Sequence, residues 1–171
     1  MTASPLTTTP AAPAYTPRPY LRAFRPEDAA AFRELNEAWI KAYFVLEEED
    51  RASLNDPQGH ILAPGGHIVV AVELGEVVGC CALIPHGPGV FEVAKMAVAE
   101  RLRGCGIGRQ LLACVIEQAR VLGAKSLYLE SNSRLANAVH LYESLGFRHL
   151  PADQVSPSIY ARANVFMDLK L

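Results

Sequence analysis

The amino-acid sequence predicts an α/β domain with a mixed, mostly antiparallel central sheet flanked by helices. Two observations lead to this fold class. Three strand-like runs follow one another in the middle of the chain, joined by short turns, and the later strand-like segments alternate with helical ones. The 171 residues are 50% hydrophobic and 20% charged, which is typical of one globular domain with a buried core.

The first 19 residues differ from the rest of the chain. They contain five of the 12 prolines and five threonines, and their apolar residues show no periodicity. Such a composition is typical of a disordered or extended tail. We therefore place the folded domain at residues 20–171.

One strand and two helices are predicted at the start of the domain. Residues 20–24 form a short strand, and Pro26 favours a helix start directly after it. This helix continues through apolar positions at helical spacing, namely Phe32, Leu35, Trp39 and Ala42. The acidic run 47–50 predicts a second, short helix that ends near Asp56.

Strands dominate the middle of the domain, and helices return after it. The run 67–73 is rich in Ile and Val, and after a turn the run 77–84 returns as the second arm of a hairpin. A turn of Pro and Gly at 85–89 leads to a third strand. The remaining predicted elements are that strand at 90–98, a helix at 107–122 ended by Gly123, a strand at 126–130, a helix at 135–145 and a final strand at 164–169.

A glycine-rich turn separates the third strand from the long helix. Because a helix start presents unpaired N–H groups and a positive dipole end, this turn suits a phosphate or pyrophosphate, and Arg103 and Arg109 add positive charge. No lysine or hydroxyl residue follows Gly108, so the turn is not a nucleoside-triphosphate loop. Arg109 also occupies the third glycine position of a dinucleotide fingerprint. Taken alone, such a turn more often only connects two secondary-structure elements and has no binding function.

Two motifs give this turn a more specific interpretation. The pattern Arg-x-x-Gly-x-Gly at 103–108 resembles the acyl-CoA loop of the GNAT superfamily of N-acyltransferases. The later helix and its exit match the family's Asn-x4-Tyr-Glu-x2-Gly-Phe motif at Asn137, Ala138, Tyr142, Glu143, Gly146 and Phe147. The resemblance covers roughly residues 20–150 and reaches the last strand. It implies the GNAT fold, with acetyl-CoA as cosubstrate.

The resemblance also implies which residues bind acetyl-CoA. In the family, loop amides hold the pyrophosphate, and the strand before the loop is splayed, binds pantetheine and polarises the thioester. For residues 96–98 an ordinary ladder strand is the alternative. The implied cosubstrate-binding residues are Met96, Ala97, Val98, Arg103, Gly104, Cys105, Gly106, Ile107, Gly108, Arg109, Asn137 and Tyr142.

Tyr142 is the candidate general acid. The family places its proton donor at this motif position, near the thioester sulfur, and a tyrosine with a pKa of about 10 is protonated at neutral pH. Tyr142 also falls on the apolar face of its predicted helix beside Val139 and Leu145. A core aromatic residue is therefore the alternative.

Glu92 is the candidate general base. By the two-residue period of a strand it shares a face with Ala94, Met96 and Val98, where a carboxylate is costly unless it is used or paired. Some members of the superfamily carry a base glutamate here. A buried ion pair or a solvated strand end is the alternative. Lys95 is expected to point to the other face and to solvent.

Charge and cysteine usage exclude several classes of partner. A net charge of −2 does not indicate binding to nucleic acid or to an anionic membrane. No apolar run approaches the roughly 20 residues that span a bilayer. The five histidines and four cysteines lack ligand spacing, so no metal is expected. Unpatterned cysteines and the lack of a signal-peptide pattern indicate the cytoplasm. A homodimer is compatible with all of this.

Two functions from different classes fit these features. One is an acetyl-CoA-dependent N-acetyltransferase that acts directly on a primary amine of a small molecule, amino acid or peptide. The other is a non-catalytic acyl-CoA sensor, which Tyr142 and Glu92 disfavour. Residues 92–98 and 160–165 also look like the acetyltransferase half of bacterial fusions with a winged-helix regulator. Only the short tail precedes the domain, so we expect no transcriptional role.

The family resemblance places the amine acceptor against the first two helices and the segment before the last strand. These regions contribute the acidic run 47–50 and four side chains, namely Trp39, Tyr43, Phe44 and Tyr160, together with Arg162. Arg162 either pairs with an acceptor carboxylate, which favours an amino acid or short peptide, or bridges to a surface glutamate. The acidic run is expected to be a solvated helix start.

Overall fold

The computed structural model describes residues 15–171 and contains a seven-stranded mixed sheet with helices on both faces. The strands are β1 (Tyr20–Ala23), β2 (His67–Glu73), β3 (Glu76–Gly87), β4 (Val90–Val98), β5 (Ser126–Ser131), β6 (Arg148–His149) and β7 (Val165–Lys170). The helices are α1 (Ala29–Tyr43), α2 (Glu48–Asn55), α3 (Ile107–Val121) and α4 (Ala136–Ser144). Strand order is β1-β2-β3-β4-β5-β7-β6, and within residues 15–171 only β4 and β5 pair in parallel. The predicted fold class is confirmed.

Most element boundaries agree with the sequence prediction within two residues, but several short features were not predicted. A 3-10 turn at Pro26–Asp28 precedes α1, and a π-helical turn occupies Gln58–Leu62. The two-residue strand β6 pairs with the edge of β7. Strand β3 continues through Pro85 to Gly87, and its pairing with β4 is irregular between these two residues.

The predicted tail is only partly within the described residues. Residues 1–14, which hold most of the predicted disordered or extended tail, lie outside the described residues. In the adjoining segment, the Tyr15 hydroxyl donates to the Glu73 carboxylate, and the Arg18 N–H donates to the same group at 3.0 Å. Glu73 is buried at the end of β2. These contacts hold residues 15–18 against the sheet.

Two apolar cores cover the two faces of the sheet. Helices α3 and α4 pack on one face, where Leu111, Leu112 and Val115 of α3 are fully buried. Helices α1 and α2 pack on the other face, through residues such as Phe32 and Ile40. We call these the α3 face and the α1 face.

A β-bulge in β4 determines which side chains reach each face. The register runs from Ala82↔Ala94 to Cys80↔Ala97, so Lys95 and Met96 together oppose a single residue of β3. Lys95 has a left-handed backbone with φ +50°. Because a bulge inserts one residue, it reverses the in-out alternation beyond it. Val93 and Met96 consequently both pack on the α3 face.

The bulge overturns two expectations from the two-residue period. Glu92 was expected to share a face with Met96 and Val98, but these two pack on the α3 face, whereas Glu92 pairs with Ile84 on the α1 face. Lys95 was expected to reach solvent. It is instead buried, and its Nζ lies 2.9 Å from Oδ1 of Asp50. The sequence period could not reveal a bulge that a tertiary ion pair stabilises.

Asp50 accepts four hydrogen bonds, which tie α2 to β4 and to the segment before β7 and cap the first turn of α2 itself. Its Oδ1 accepts from Lys95 Nζ at 2.9 Å and from Arg162 Nη2 at 2.8 Å. Its Oδ2 accepts from Arg162 Nη1 at 2.6 Å and from the Glu47 N–H at 3.1 Å. Burial opposes ionisation of Asp50, but hydrogen bonds and charges from Arg162 and Lys95 outweigh it and lower the pKa. Asp50 is thus a buried, ionised carboxylate with both oxygens satisfied.

Replacing Asp50 with Asn should destabilise the protein strongly. The change removes the counter-charge of buried Lys95 and the main counter-charge of Arg162, which costs about 3 kcal/mol in comparable buried pairs. Urea unfolding measures this loss. The exposed neighbour Glu49→Gln, on the same helix, is the control and should stay within about 0.5 kcal/mol of wild type. An Asp50→Asn variant as stable as the control would contradict this role of the cluster.

Candidate active site

The neighbouring strands β4 and β5 are joined at one end only. Val90–Glu92 pair with Ser126–Tyr128, and beyond these residues the strands diverge, although β4 continues to Val98 and β5 to Ser131. A cavity of about 370 Å³ opens along this divergence. On the side facing β5, residues 96–98 are therefore not an ordinary ladder strand.

The cavity brings together predicted site residues from several elements. Those that line it are Glu92, Met96, Ala97, Val98, Arg103, Asn137 and Tyr142. The predicted acceptor residues Trp39, Tyr43, Phe44, Tyr160 and Arg162 also line it. The loop residues Gly104, Cys105, Gly106, Ile107, Gly108 and Arg109 follow Arg103 at the start of α3 and are not part of the lining.

Five polar lining residues were not predicted to belong to the site. They are Lys95 on β4, Glu130 and Ser131 at the end of β5, and Asn132 and Arg134 in the loop before α4. The first three fall in strands and the other two in a loop, and none belongs to a motif. Only the divergence of β4 from β5 exposes them to a common cavity.

The glycine-rich turn has the geometry of an anion-binding site. Gly104 and Gly106 have φ values of +77° and +82°, and a Cβ at either would meet no atom within 4 Å. Gly106 is the N-cap of α3 and offers no side chain to cap the helix. The first N–H groups of α3 therefore face open space, which fits a pyrophosphate.

The other residues of this turn support its position. The Ile107 side chain is buried in the α3-face core, so only its backbone faces the turn. A Cβ on Gly108 would lie 3.2 Å from the Met96 methyl group, so glycine here lets α3 approach β4 closely. Arg109 Nη1 donates to Ser144 Oγ at 2.8 Å, which links α3 to α4. Cys105 is exposed.

Tyr142 lies on α4 between the α3-face core and the cavity. Its ring makes an edge contact with Phe147, with 6.1 Å between ring centroids. Burial raises its pKa, and the nearby Cys81 adds to the effect. The phenol is therefore protonated across the physiological pH range.

Glu92 enters the cavity from the α1 face, and its side chain is 19% exposed. Burial raises its pKa to about 7, the negative charge of Glu130 adds to the rise, and Lys95 opposes it. His86 Nδ1 lies 3.8 Å from its carboxylate, and the His86 ring stacks on Tyr128. Glu92 therefore exchanges its proton near neutral pH.

Of the two alternatives for Arg162, the structure agrees more closely with the second, a bridge to an acidic side chain of the protein. Its guanidinium bridges Glu47 at 3.2 Å, but its main partner is buried Asp50 rather than a surface glutamate. The expectation of a fully solvated acidic run is also corrected. Glu48 and Glu49 are exposed, whereas Asp50 has no exposed surface. The need to neutralise Lys95 and Arg162 accounts for that burial.

The family model described as the acetyltransferase (GNAT) family matches residues 24–147. The chain belongs to the GNAT family. It is 39% identical over 119 residues to the uncharacterized N-acetyltransferase YjgM of Escherichia coli K12, covering 65% of this chain and 71% of that one. It is 33% identical over 94 residues to the aminoalkylphosphonate N-acetyltransferase of Salmonella typhimurium LT2, covering 52% and 61%. Accordingly, it is an acetyl-CoA-dependent N-acetyltransferase.

Solved structures agree with the fold. A GNAT-family acetyltransferase from Staphylococcus aureus superposes with a TM-score of 0.81 at 20% identity, covering 90% of this chain and 99% of that one. In residues 15–171 no helix combines the length and apolar character needed to cross a bilayer. The same part of the chain holds no group of three His, Cys, Asp or Glu side chains suited to a metal ion.

Replacing Gly106 with Ala should weaken acetyl-CoA binding. A side chain at φ +82° costs about 1–2 kcal/mol of strain, and its Cβ would enter the open space before the α3 N-terminus. We expect the Kd for CoA, measured by calorimetry, to rise about ten-fold. Gly123→Ala is a matched control, since Gly123 has φ +77°, equal open space and a place at the other end of α3. Equal CoA affinity in both variants would contradict the assignment.

Proposed function

We propose that the enzyme transfers the acetyl group directly to a primary amine of a small molecule, amino acid or peptide bound at the α1 face of the cavity. One observation carries this proposal. Glu92, with a pKa of about 7, and Tyr142, which stays protonated, line the same cavity from opposite faces of the sheet. A carboxylate and a phenol placed in this way provide a base on one side and an acid on the other.

The proposed mechanism divides the proton transfers between these two residues. An amine attacks a thioester only when it is neutral, and Glu92 is the group that takes the amine proton. Bound acetyl-CoA supplies an acetyl group activated as a thioester. Tyr142 donates a proton to the departing sulfur, and N–H groups on the unpaired edge of β4 polarise the acetyl oxygen. Residues 103–109 and Asn137 hold the cosubstrate beside this edge.

We propose that aromatic side chains form the acceptor wall. The Trp39 and Phe44 rings meet edge-on with centroids 6.4 Å apart, and both line the cavity with Tyr43. Such walls suit an amine that carries an apolar part. Residues 92–98 and 160–165, which resemble the winged-helix fusions, meet where Lys95 Nζ donates to the Tyr160 hydroxyl at 3.0 Å. We therefore propose that this protein and the winged-helix fusions have a similar acceptor wall.

A thiol-release assay tests the proposed function. Acetyl-CoA is offered with amino acids, dipeptides, polyamines and aminoglycosides, and mass spectrometry identifies the acetylated product. Release with a primary amine supports the proposal. Tight CoA binding without release by any amine would overturn it.

We also propose that the enzyme works in the cytoplasm, which the four free cysteines support.

Tyr142→Phe should lower kcat at least about 100-fold, because it removes the proton donor. The Phe ring keeps the edge contact with Phe147, so affinity for CoA should change less than about two-fold. Steady-state kinetics and CoA titration measure the two quantities. An equal loss in both would point to a packing role instead.

The pH dependence of the rate should report Glu92. A base must be deprotonated to act, so kcat/KM should rise as pH increases through about 7 and level off above it. Glu92→Gln should lower the plateau and remove this rise. Glu130→Gln removes a charge that raises the pKa of Glu92, so the rise should persist but move to lower pH. An unchanged profile in Glu92→Gln would remove Glu92 from the mechanism.

A further inference from the structure

We propose that Arg134 selects an amine acceptor that carries a carboxylate, by binding that carboxylate. The inference deepens the proposed function and rests on it. Arg134 lies in the loop between β5 and α4 and lines the cavity beside Tyr43 and Phe44. It takes the place that the sequence analysis offered to Arg162.

Two other cations line the cavity where we place the acceptor, namely Lys95 and Arg162, and both are already neutralised. Lys95 Nζ contacts the Asp50 carboxylate and the Tyr160 hydroxyl. Both terminal nitrogens of Arg162 contact Asp50, and one of them also contacts Glu47. Since the Asp50 oxygens lie on the guanidinium fork, Arg162 has no face left for bidentate binding of a substrate carboxylate.

Arg134 differs from both because it forms no salt bridge within residues 15–171. Its Nη1 donates to the Tyr43 carbonyl oxygen at 2.7 Å, and its guanidinium lies 5.3 Å from the centre of the Phe44 ring. These contacts orient the group but leave its positive charge uncompensated by any acid. A guanidinium held in this way offers N–H donors in the geometry that a carboxylate requires.

The backbone around Arg134 is fixed by side-chain hydrogen bonds. Its N–H donates to Asn132 Oδ1 at 2.8 Å, and Asn132 Nδ2 donates to the Arg162 carbonyl at 2.6 Å. The Ser133 N–H donates to Asn164 Oδ1 at 2.8 Å. The loop is thereby tied to the segment before β7. Because this order exists before binding, the guanidinium is preorganised for an anion.

The charges of the cavity complement an acceptor with two charged ends. Glu92 provides the negative site that attracts an ammonium and accepts its proton, while Arg134 provides the positive site. Trp39 and Phe44 line the same cavity and suit the apolar part of the molecule. This combination fits an amino acid, and it disfavours an amine without an anionic group.

The test compares each productive amino acid with its carboxamide, which keeps the amine but removes the charge. Arg134→Gln should lower kcat/KM for the amino acid about 10- to 100-fold, the effect of losing hydrogen bonds to a charged group. It should leave the carboxamide and the KM for acetyl-CoA unchanged. Arg120→Gln is the control, since Arg120 is an exposed arginine on α3 outside the cavity. Thermal melting confirms that both variants fold.

Several results would overturn this role of Arg134. They are an equal loss for the amino acid and its carboxamide, a rise in the KM for acetyl-CoA, or a wild-type enzyme that does not distinguish the two amines. If no amine supports turnover, the proposed function fails by itself. Calorimetry of amino-acid binding to the CoA-loaded protein then still decides the question, since Arg134→Gln must weaken binding if Arg134 holds the carboxylate.

Discussion

The buried contact between Lys95 and Asp50 is the constraint on which the rest of the site depends. A left-handed backbone at Lys95 costs about 1–2 kcal/mol, and each buried charge adds a desolvation cost of several kcal/mol. Both costs are offset because each oxygen of Asp50 accepts two hydrogen bonds. The contact holds the β4 bulge against α2, and through Arg162 it also holds the segment before β7.

The bulge gives the cavity its two chemically different sides. Beyond it, Met96 and Val98 pack on the α3 face, near α4 and Tyr142, while Glu92 remains on the α1 face. β4 leaves β5 directly after Glu92, so the base lies where the gap begins. The acid and base candidates therefore reach one cavity from different elements. Burial raises the pKa of both groups, which brings Glu92 near neutral pH and keeps Tyr142 protonated. This division separates the donor half from the acceptor half.

Local patterns predicted most of the fold. Strand β4 and the start of α3 follow from apolar periodicity and glycine placement, and the Tyr142 helix follows from a motif. The bulge was not predictable from local pattern, because Lys95, whose φ is +50°, has its ion-pair partner Asp50 45 residues away in the chain. The partner of Arg162 and the exposure of Arg134 to the cavity depend on the same packing. Long-range charge pairing, rather than local preference, decides these features.

Hydrogen exchange with and without CoA tests the central claim, that the unpaired edge of β4 and the start of α3 together hold the cosubstrate. We expect CoA to slow exchange of the amides at residues 94–98 and 104–109 and to leave exchange of the amides of β1 and β2 unchanged. Unchanged exchange at 94–98 and 104–109 in CoA-saturated protein, with protection elsewhere, would contradict it.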